Sequence, residues 1–232
     1  MFKADIGIIG ALAEEVSGII SLLTEHGTET VGGVEIHTGK IGDKNIAITR
    51  SGVGKVFAAL AAEAMIIAVS PSLLVNTGVG GALADTLHTA DVVIADRLCQ
   101  HDMDTSPLGD PKGLISGINR IYFDADSRAV EILSAAAKEE GIGCLVGTVA
   151  SGDRFVASSE EKKRILDDFS AVACEMEGAA IAQVAFVNST PFAVIRAISD
   201  SADGEASMDY PSFLPIAARS SMALTLALIQ NY

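Results

Sequence analysis

Tryptophan is absent from this chain of 232 residues, and aromatic residues make up only 5% of it against a hydrophobic fraction of 49%. The core must therefore be built from Ala, Val, Ile and Leu in layers, which favours helices packed on a sheet. Basic residues are also scarce, 16 against 30 acidic ones. The net charge of −14 argues against nucleic acid, whose phosphates would be repelled, and against an anionic membrane surface. Cysteine is limited to Cys99, Cys144 and Cys174, far apart and without CxxC spacing. That pattern offers neither a disulfide framework nor a zinc cluster and predicts buried free thiols. The longest apolar run near the start, Ile6 to Ala13, stops at Glu14-Glu15 and is preceded by Lys3 alone. It is too short and wrongly flanked for a signal peptide or a membrane span, so the expected location is cytoplasmic. No repeat, low-complexity tract or linker interrupts the chain, and the expectation is one domain over 1–232, able to bury roughly 70–75% of its unfolded surface.

What is present is an alternation of strands and helices. Ile6 to Ile9 reads as a buried strand, and Val16, Ile19, Ile20 and Leu23 follow at the spacing of one helical face. Residues 35–38 and 44–49 look like paired strands turning at Gly42-Asp43. An Ala-rich helix runs from Lys55 to about Val69 and ends at Ser70-Pro71, and a short strand over 72–76 feeds the glycine-rich Thr77 to Ala82. Further strands are predicted over 91–99, 143–150 and 191–199, with helices over 126–140, after Ser158, and over 211–230. Residues 100–119 have no periodicity and read as a long loop. This pattern implies one mixed or mostly parallel sheet covered by helices, with ligands expected beyond the carboxyl ends of its strands.

The candidate polar groups collect at those strand ends: Glu14-Glu15, Thr77 to Gly81, Gly152 to Val156, Glu175-Met176-Glu177 and Ser199-Asp200. If the strand ran on through it, Cys174 to Glu177 would set Glu175 and Glu177 on one side. Alternation in 193–200 places Val194, Arg196, Ile198 and Asp200 together. A buried Arg196 needs an anionic partner. Asp200 lies about 13 Å along the strand, so a carboxylate from another strand end, Glu175, Glu177 or Glu15, is the better candidate.

Several motifs fail. Gly52-Val53-Gly54-Lys55 has Thr49 and Val56 where a Walker loop needs Gly and Ser/Thr. The glycines at 78, 80 and 81 lack the last position of a dinucleotide fingerprint, which here is Leu83. A close backbone approach to a ligand and a tight turn explain them equally well. His101, Asp102 and Asp104 could ligate a metal, but no second cluster completes a site, and no metal or organic cofactor is expected.

Taken in order, Gly7-Ile8-Ile9-Gly10-Ala11 with Glu14-Glu15, Ser51 to Lys55, Asn76-Thr77-Gly78, Ser151-Gly152-Asp153, Glu175-Met176-Glu177 and Arg196 to Asp200 resemble the 5'-methylthioadenosine/S-adenosylhomocysteine nucleosidases. The resemblance spans nearly the whole chain. It implies a three-layer α/β fold, the nucleoside phosphorylase fold with a central mixed sheet flanked by helices, and a homodimer. It implies hydrolysis of the N-glycosidic bond of the two named nucleosides, and of 5'-deoxyadenosine, with release of adenine. By position, Glu15 is similar to the base that activates water and Asp200 to the acid that protonates adenine N7. Glu177 matches the carboxylate on the ribose hydroxyls, Met176 the side chain against the sugar, and Phe155 the ring on adenine. Val156 would offer its backbone to the base edge, Ser199 and Arg196 would orient the acid and the water, and Glu175 would be a minor contact or a structural partner. Val79 and Gly80 stand in the ligand-facing turn, where the family carries Ser-Ala-Gly-Gly after Asn-Thr-Gly. Leu108, where an aromatic is common, would cover the partner subunit's 5' pocket.

The chemistry fits these residue types. Breaking an N-glycosidic bond needs a protonated leaving group, a stabilised oxocarbenium-like sugar and a positioned water, which is work for carboxylates on opposite sides of the bond. A phosphorolytic enzyme is the nearest alternative, but Asn76-Thr77-Gly78-Val79 lacks the cation and hydroxyl that would grip phosphate. A futalosine-type hydrolase differs only on the 5' side. A nucleoside-binding protein without turnover would not need both an acid and a base.

Overall fold

The strand Ile6–Gly10 (β1) is buried at every position and serves two layers. Ile6 and Ile8 pack on one side with Val16 and Ile19 of helix Ala13–Ile20 (α1), and Ile9 packs on the other with Met65 of helix Lys55–Val69 (α2). Gly7 allows a close approach, since a Cβ there would lie 3.0 Å from Met65 Cγ. A strand covered on both faces reads as a continuous apolar run, as this one does. The computed structural model describes residues 2–203 and 206–232.

Strands Thr24–Val31 (β2), Val34–Ile41 (β3) and Lys44–Arg50 (β4) form an antiparallel meander that joins β1 through the parallel β1–β4 pair. On its other side β1 pairs in parallel with Leu73–Ala82 (β5). The remaining strands are Val92–Gln100 (β6), Phe123–Asp124 (β7), Cys144–Ser151 (β8), Ala173–Glu175 (β9) and Phe192–Asp200 (β10). β5, β10, β6, β8 and β9 pair in that order, and β9 returns to β5, so this part of the sheet closes into a ring. Helices α2 and Gly178–Val187 (α5) cover one face; α1, Ser127–Glu139 (α3) and Ala206–Asn231 (α6) cover the other. Ser159–Phe169 (α4) closes a third cluster with Cys99, Ala150, Val156 and Cys174. This is the mixed, helix-flanked α/β sheet that the alternation predicts.

Some expectations need correction. The strand predicted over 72–76 does not stop at the glycines but runs through them to Ala82. They do not form a turn, and Gly80 and Gly81 line a cavity. A Cβ at Gly78 would sit 2.6 Å from Glu15 Oε1, one at Gly80 2.9 Å from the Cys174 carbonyl, and one at Gly81 2.9 Å from Asp200 Oδ1. The protein's own carboxylates and backbone approach that closely. Conversely, β9 ends at Glu175, and Glu177 is the N-cap residue of α5, so the two glutamates do not share a strand face. β8 and β9 run opposite to β5 and β10. The functional strand ends therefore meet across a short β5–β9 pairing, at Gly81–Cys174 and Ala82–Ala173, and not along one carboxyl edge.

Cys99 and Cys174 are buried, but Cys144 is exposed at the start of β8. The loop over 100–119 contains a short 3-10 turn at Ser106–Leu108 and an isolated bridge from Ile115 to Arg120. α6 begins before Pro211 and crosses Pro215. Its stretch Ser212–Asn231 has the length and apolarity of a membrane span. Here Ala217, Leu224 and Leu228 are buried against the sheet cluster, and Thr225 Oγ1 hydrogen-bonds Thr77 Oγ1 of β5 at 3.0 Å.

Candidate active site

Arg196, at the middle of β10, is 1% exposed, and burying a guanidinium costs several kcal/mol unless it is paired and hydrogen-bonded. Its partner is Glu175 at the end of β9. Nε donates to Glu175 Oε2 at 3.1 Å, and Nη2 donates to the same oxygen and to Asn76 Oδ1. Nη1 donates to the Ile195 carbonyl at 2.9 Å, and Asn76 is fixed in turn by Nδ2 donating to the Ile9 carbonyl at 2.9 Å. Glu175 also accepts from Ser151 Oγ and from the peptide N–H groups of Glu177 (3.1 Å) and Gly178 (2.7 Å). Burial works to raise its carboxyl, but Arg196 and these donors hold it below the usual value. The ion pair that the buried arginine demands is thus Glu175–Arg196, and it forms the floor of the site.

Above this floor lies a cavity of about 180 Å³ lined by Glu15, Val79, Gly80, Phe155, Val156, Glu175, Met176, Glu177, Ser199 and Asp200, with Tyr210 and Arg154. Among the described residues three carboxylates other than Glu175 line it, each placed by a different local device. Glu15 lies in the first turn of α1 and folds back on the helix start. Oε2 accepts from Ala11 N–H (2.6 Å) and Leu12 N–H (2.9 Å), and Oε1 accepts from Val79 N–H (3.1 Å). Burial raises its pKa, and those donors together with the charge of Arg196 limit the rise. Glu177 accepts from Gly54 N–H at 2.8 Å. Burial, with the negative charge of Glu175 next, pushes its carboxyl up to about 7.

Asp200 ends β10 just past a register shift against β5 between Ile198 and Asp200. The bulge breaks the simple alternation expected for 194–200 and re-aims the carboxylate. Ser199 Oγ donates to Asp200 Oδ2 at 2.8 Å, and Ala202 N–H donates to Oδ1 at 2.9 Å. Part of the cavity wall is aromatic. Phe155 is 46% exposed and meets the Tyr210 ring edge-on, with centroids 5.6 Å apart.

The structure therefore gathers the predicted Glu15, Val79, Gly80, Phe155, Val156, Glu175, Met176, Glu177, Ser199 and Asp200 around one cavity. Arg196 lies beneath it, engaged with Glu175 and Asn76, and reaches the cavity only through Glu175. Leu108 does not line its own chain's cavity and is 84% exposed. Two contributions escape sequence reasoning. Tyr210 precedes the predicted start of the last helix and is followed by Pro211, so nothing in the sequence marks it. Ser151 fixes both Glu175 and the Ala179 N–H (2.7 Å); its motif and its place at a strand end mark it without giving this role. Among the described residues no group of three or more His, Cys, Asp and Glu side chains is arranged to hold a metal. Asp102 instead pairs with Lys55.

Comparison with known proteins identifies the family. A sequence profile described as the phosphorylase superfamily matches residues 5–230. The 5'-methylthioadenosine/S-adenosylhomocysteine nucleosidase of Haemophilus influenzae (strain 86-028NP) is 39% identical over 227 residues, 97% of this chain and 98% of that protein. The structure of S-adenosylhomocysteine nucleosidase from Streptococcus pyogenes, in complex with 5-methylthiotubericidin, superposes with a TM-score of 0.93 at 36% identity, covering 100% of this chain and 98% of that one. Futalosine hydrolase of Helicobacter pylori superposes with a TM-score of 0.94 at 34% identity, covering 98% and 97%. Fold, matched length and identity together place the chain in the phosphorylase superfamily, as a member of its 5'-methylthioadenosine/S-adenosylhomocysteine nucleosidase family.

Proposed function

We propose that this chain, as one nucleosidase domain, hydrolyses the N-glycosidic bond of 5'-methylthioadenosine and S-adenosylhomocysteine, and of 5'-deoxyadenosine, releasing adenine and the 5'-substituted ribose. The observation that carries this reading is the division of Glu15, Glu177 and Asp200 around one cavity beside the Phe155–Tyr210 wall. The base stacks on Phe155, with its edge toward the Val156 backbone and its N7 toward Asp200. Protonation there turns adenine into a neutral leaving group. Glu177 accepts from the ribose hydroxyls, and Met176 packs against the sugar. Glu15, its carboxylate fixed by three peptide N–H groups, takes the proton from the water that attacks the anomeric carbon. Glu175 and Arg196 hold the floor and do no proton transfer. No step calls for a metal or an organic cofactor.

Hydrolysis is favoured over phosphorolysis by charge. The arginine on the cavity lining is Arg154, 67% exposed at its side chain and 3.4 Å from Glu161, while Arg196 is already neutralised by Glu175. Among the described residues a phosphate beside Glu15 would meet carboxylates and no free cation. A homodimer is supported by the face of α2, where Val56, Phe57, Leu60 and Ile67 are exposed together, an apolar patch that a partner would cover. In that dimer the exposed Leu108 closes the partner subunit's 5' pocket.

Purified protein in phosphate-free buffer containing a chelator is expected to release adenine from 5'-methylthioadenosine. Turnover that rises only with added phosphate, or sugar recovered as its 1-phosphate, would overturn the hydrolytic reading. Comparing kcat/KM for methylthioadenosine, S-adenosylhomocysteine, 5'-deoxyadenosine and futalosine ranks the 5' substituents.

A further inference from the structure

Outside the cavity, three loops are tied together by a closed ring of hydrogen bonds. Lys55 Nζ donates to Asp102 Oδ1 at 2.6 Å, Asp102 Oδ2 accepts from Asp153 N–H at 2.9 Å, and Asp153 Oδ1 accepts from Lys55 N–H at 2.7 Å. The three residues come from the start of α2, the segment after β6 and the segment after β8. Lys55 Nζ also donates to Gln100 Oε1 at 3.0 Å. Both side chains of the ion pair are largely shielded, 17% exposed for Lys55 and 23% for Asp102. Burial acts to raise the Asp102 carboxyl, but the Lys55 ammonium and the Asp153 N–H hold it below its ordinary value. An ion pair shielded in this way resists salt screening better than a surface pair.

Each corner leads directly to a cavity wall. Gly54, the residue before Lys55, gives its N–H to Glu177 Oε1 at 2.8 Å. Gly54 has φ of +99°, a conformation open to glycine, and a Cβ there would also sit 3.1 Å from Asp153 Oδ1. Asp153 is followed by Arg154 and Phe155, which line the cavity. The ring therefore joins the donor that orients Glu177 to the segment that presents the aromatic wall.

We infer that Lys55 is a positioning residue for the nucleosidase reaction, setting the sugar-side carboxylate and the base-side ring relative to each other through Asp102 and Asp153. The inference rests on the nucleosidase reading. Replacing the side chain removes the Nζ corner and leaves the Lys55 N–H on Asp153 in place. Asp102 then loses its counter-charge and, with it, its hold on the Asp153 N–H. The wall moves, while Glu15 and Asp200, held by other elements, stay.

The test uses the full chain with Lys55→Met, Lys55→Arg and Asp102→Asn. Lys55→Met should raise KM for methylthioadenosine about tenfold, a change worth ~1.4 kcal/mol, while kcat falls by less than about threefold. Amide exchange in a peptide covering 152–156 of the ligand-free protein should speed up, with exchange in the β5 peptide covering 73–82 unchanged. Lys55→Arg, which keeps a cation on Asp102, should restore most of the KM and the slow exchange. A Lys55→Met protein with wild-type KM and wild-type exchange over 152–156 overturns the inference, as does an arginine variant no better than methionine. Should Lys55→Met fail to fold, the isosteric Asp102→Asn decides by the same two readouts. The exchange arm needs no substrate, so a wild-type protein without nucleosidase activity would sink the substrate reading while still deciding whether the ring orders the loop.

Discussion

Glu175 and Glu177 stand two residues apart in the chain, and the protein treats them in opposite ways. On the cavity floor Glu175 is surrounded by donors: Arg196, Ser151 and the N–H groups of Glu177 and Gly178. On the wall Glu177 has the Gly54 N–H, and burial beside Glu175 pushes its carboxyl up to about 7. Four donors crowd Glu175 Oε2 and Ser151 Oγ takes Oε1, so most of its capacity goes to the protein. A carboxylate with a single protein donor, facing a cavity, keeps lone pairs for hydroxyl groups. The difference teaches that two acids adjacent in sequence are set apart by their donors, one held against the buried cation and the other displaced onto a helix N-cap.

The largest effect should come from the other end of that division. Asp200→Asn keeps size and the hydrogen bonds around β10 but removes the acid, so kcat should fall by roughly 10²–10⁴-fold with ligand binding retained by calorimetry. Near-wild-type turnover would break the assignment of wall carboxylates as the reacting ones. Next, Phe155→Ala removes the stacking ring without touching the floor. It should raise KM by an amount corresponding to about 1–3 kcal/mol of base–aromatic stacking, leaving Tm close to wild type, since the ring is half exposed.

The smallest effect is a pH dependence that sharpens the contrast. In the unfolded chain Glu177 ionises near its ordinary value of 4.5, and in the folded protein near 7. Between those values the folded state holds the extra proton, so stability declines as pH rises through the window, and the loss is complete above it. Glu177→Gln removes the titration. Its gain in Tm over wild type should be largest at pH 8 and vanish toward pH 4.5, measured by thermal unfolding across that range.

Much of this was legible in the sequence, and the failures have physical causes. The buried arginine could be read as needing a carboxylate from another strand, because the cost of an unpaired guanidinium does not depend on knowing the fold. Helix limits announced themselves where side chains or backbone geometry cap them, as at Asp126 and Ser158, which accept from the N–H groups of Ala129 and Glu161, and at Ser70 in the left-handed conformation. Where neighbours outside the segment decide, the sequence is silent. Thr24–Val31 is polar and mostly exposed, so it lacks the alternation of a half-buried strand, yet β3 recruits it. α5 is apolar and small all round because it is buried between sheet and α2, which erases its periodicity. The glycines of β5 could be read as a turn or as a close approach to a ligand, because the groups that crowd them, Glu15, Cys174 and Asp200, are distant in sequence. The bulge at Ser199-Asp200 likewise exists only in pairing with β5.

The most direct test measures Glu175→Gln and Glu177→Gln side by side at pH 8. The account predicts that Glu175→Gln, by leaving Arg196 buried without its counter-charge, loses about 3–5 kcal/mol of stability. Glu177→Gln should unfold no earlier than wild type and lose kcat/KM by roughly 10–100-fold, the worth of charge-assisted hydrogen bonds to the sugar. A Glu175→Gln protein as stable as wild type, or a Glu177→Gln protein with wild-type kcat/KM, would contradict it.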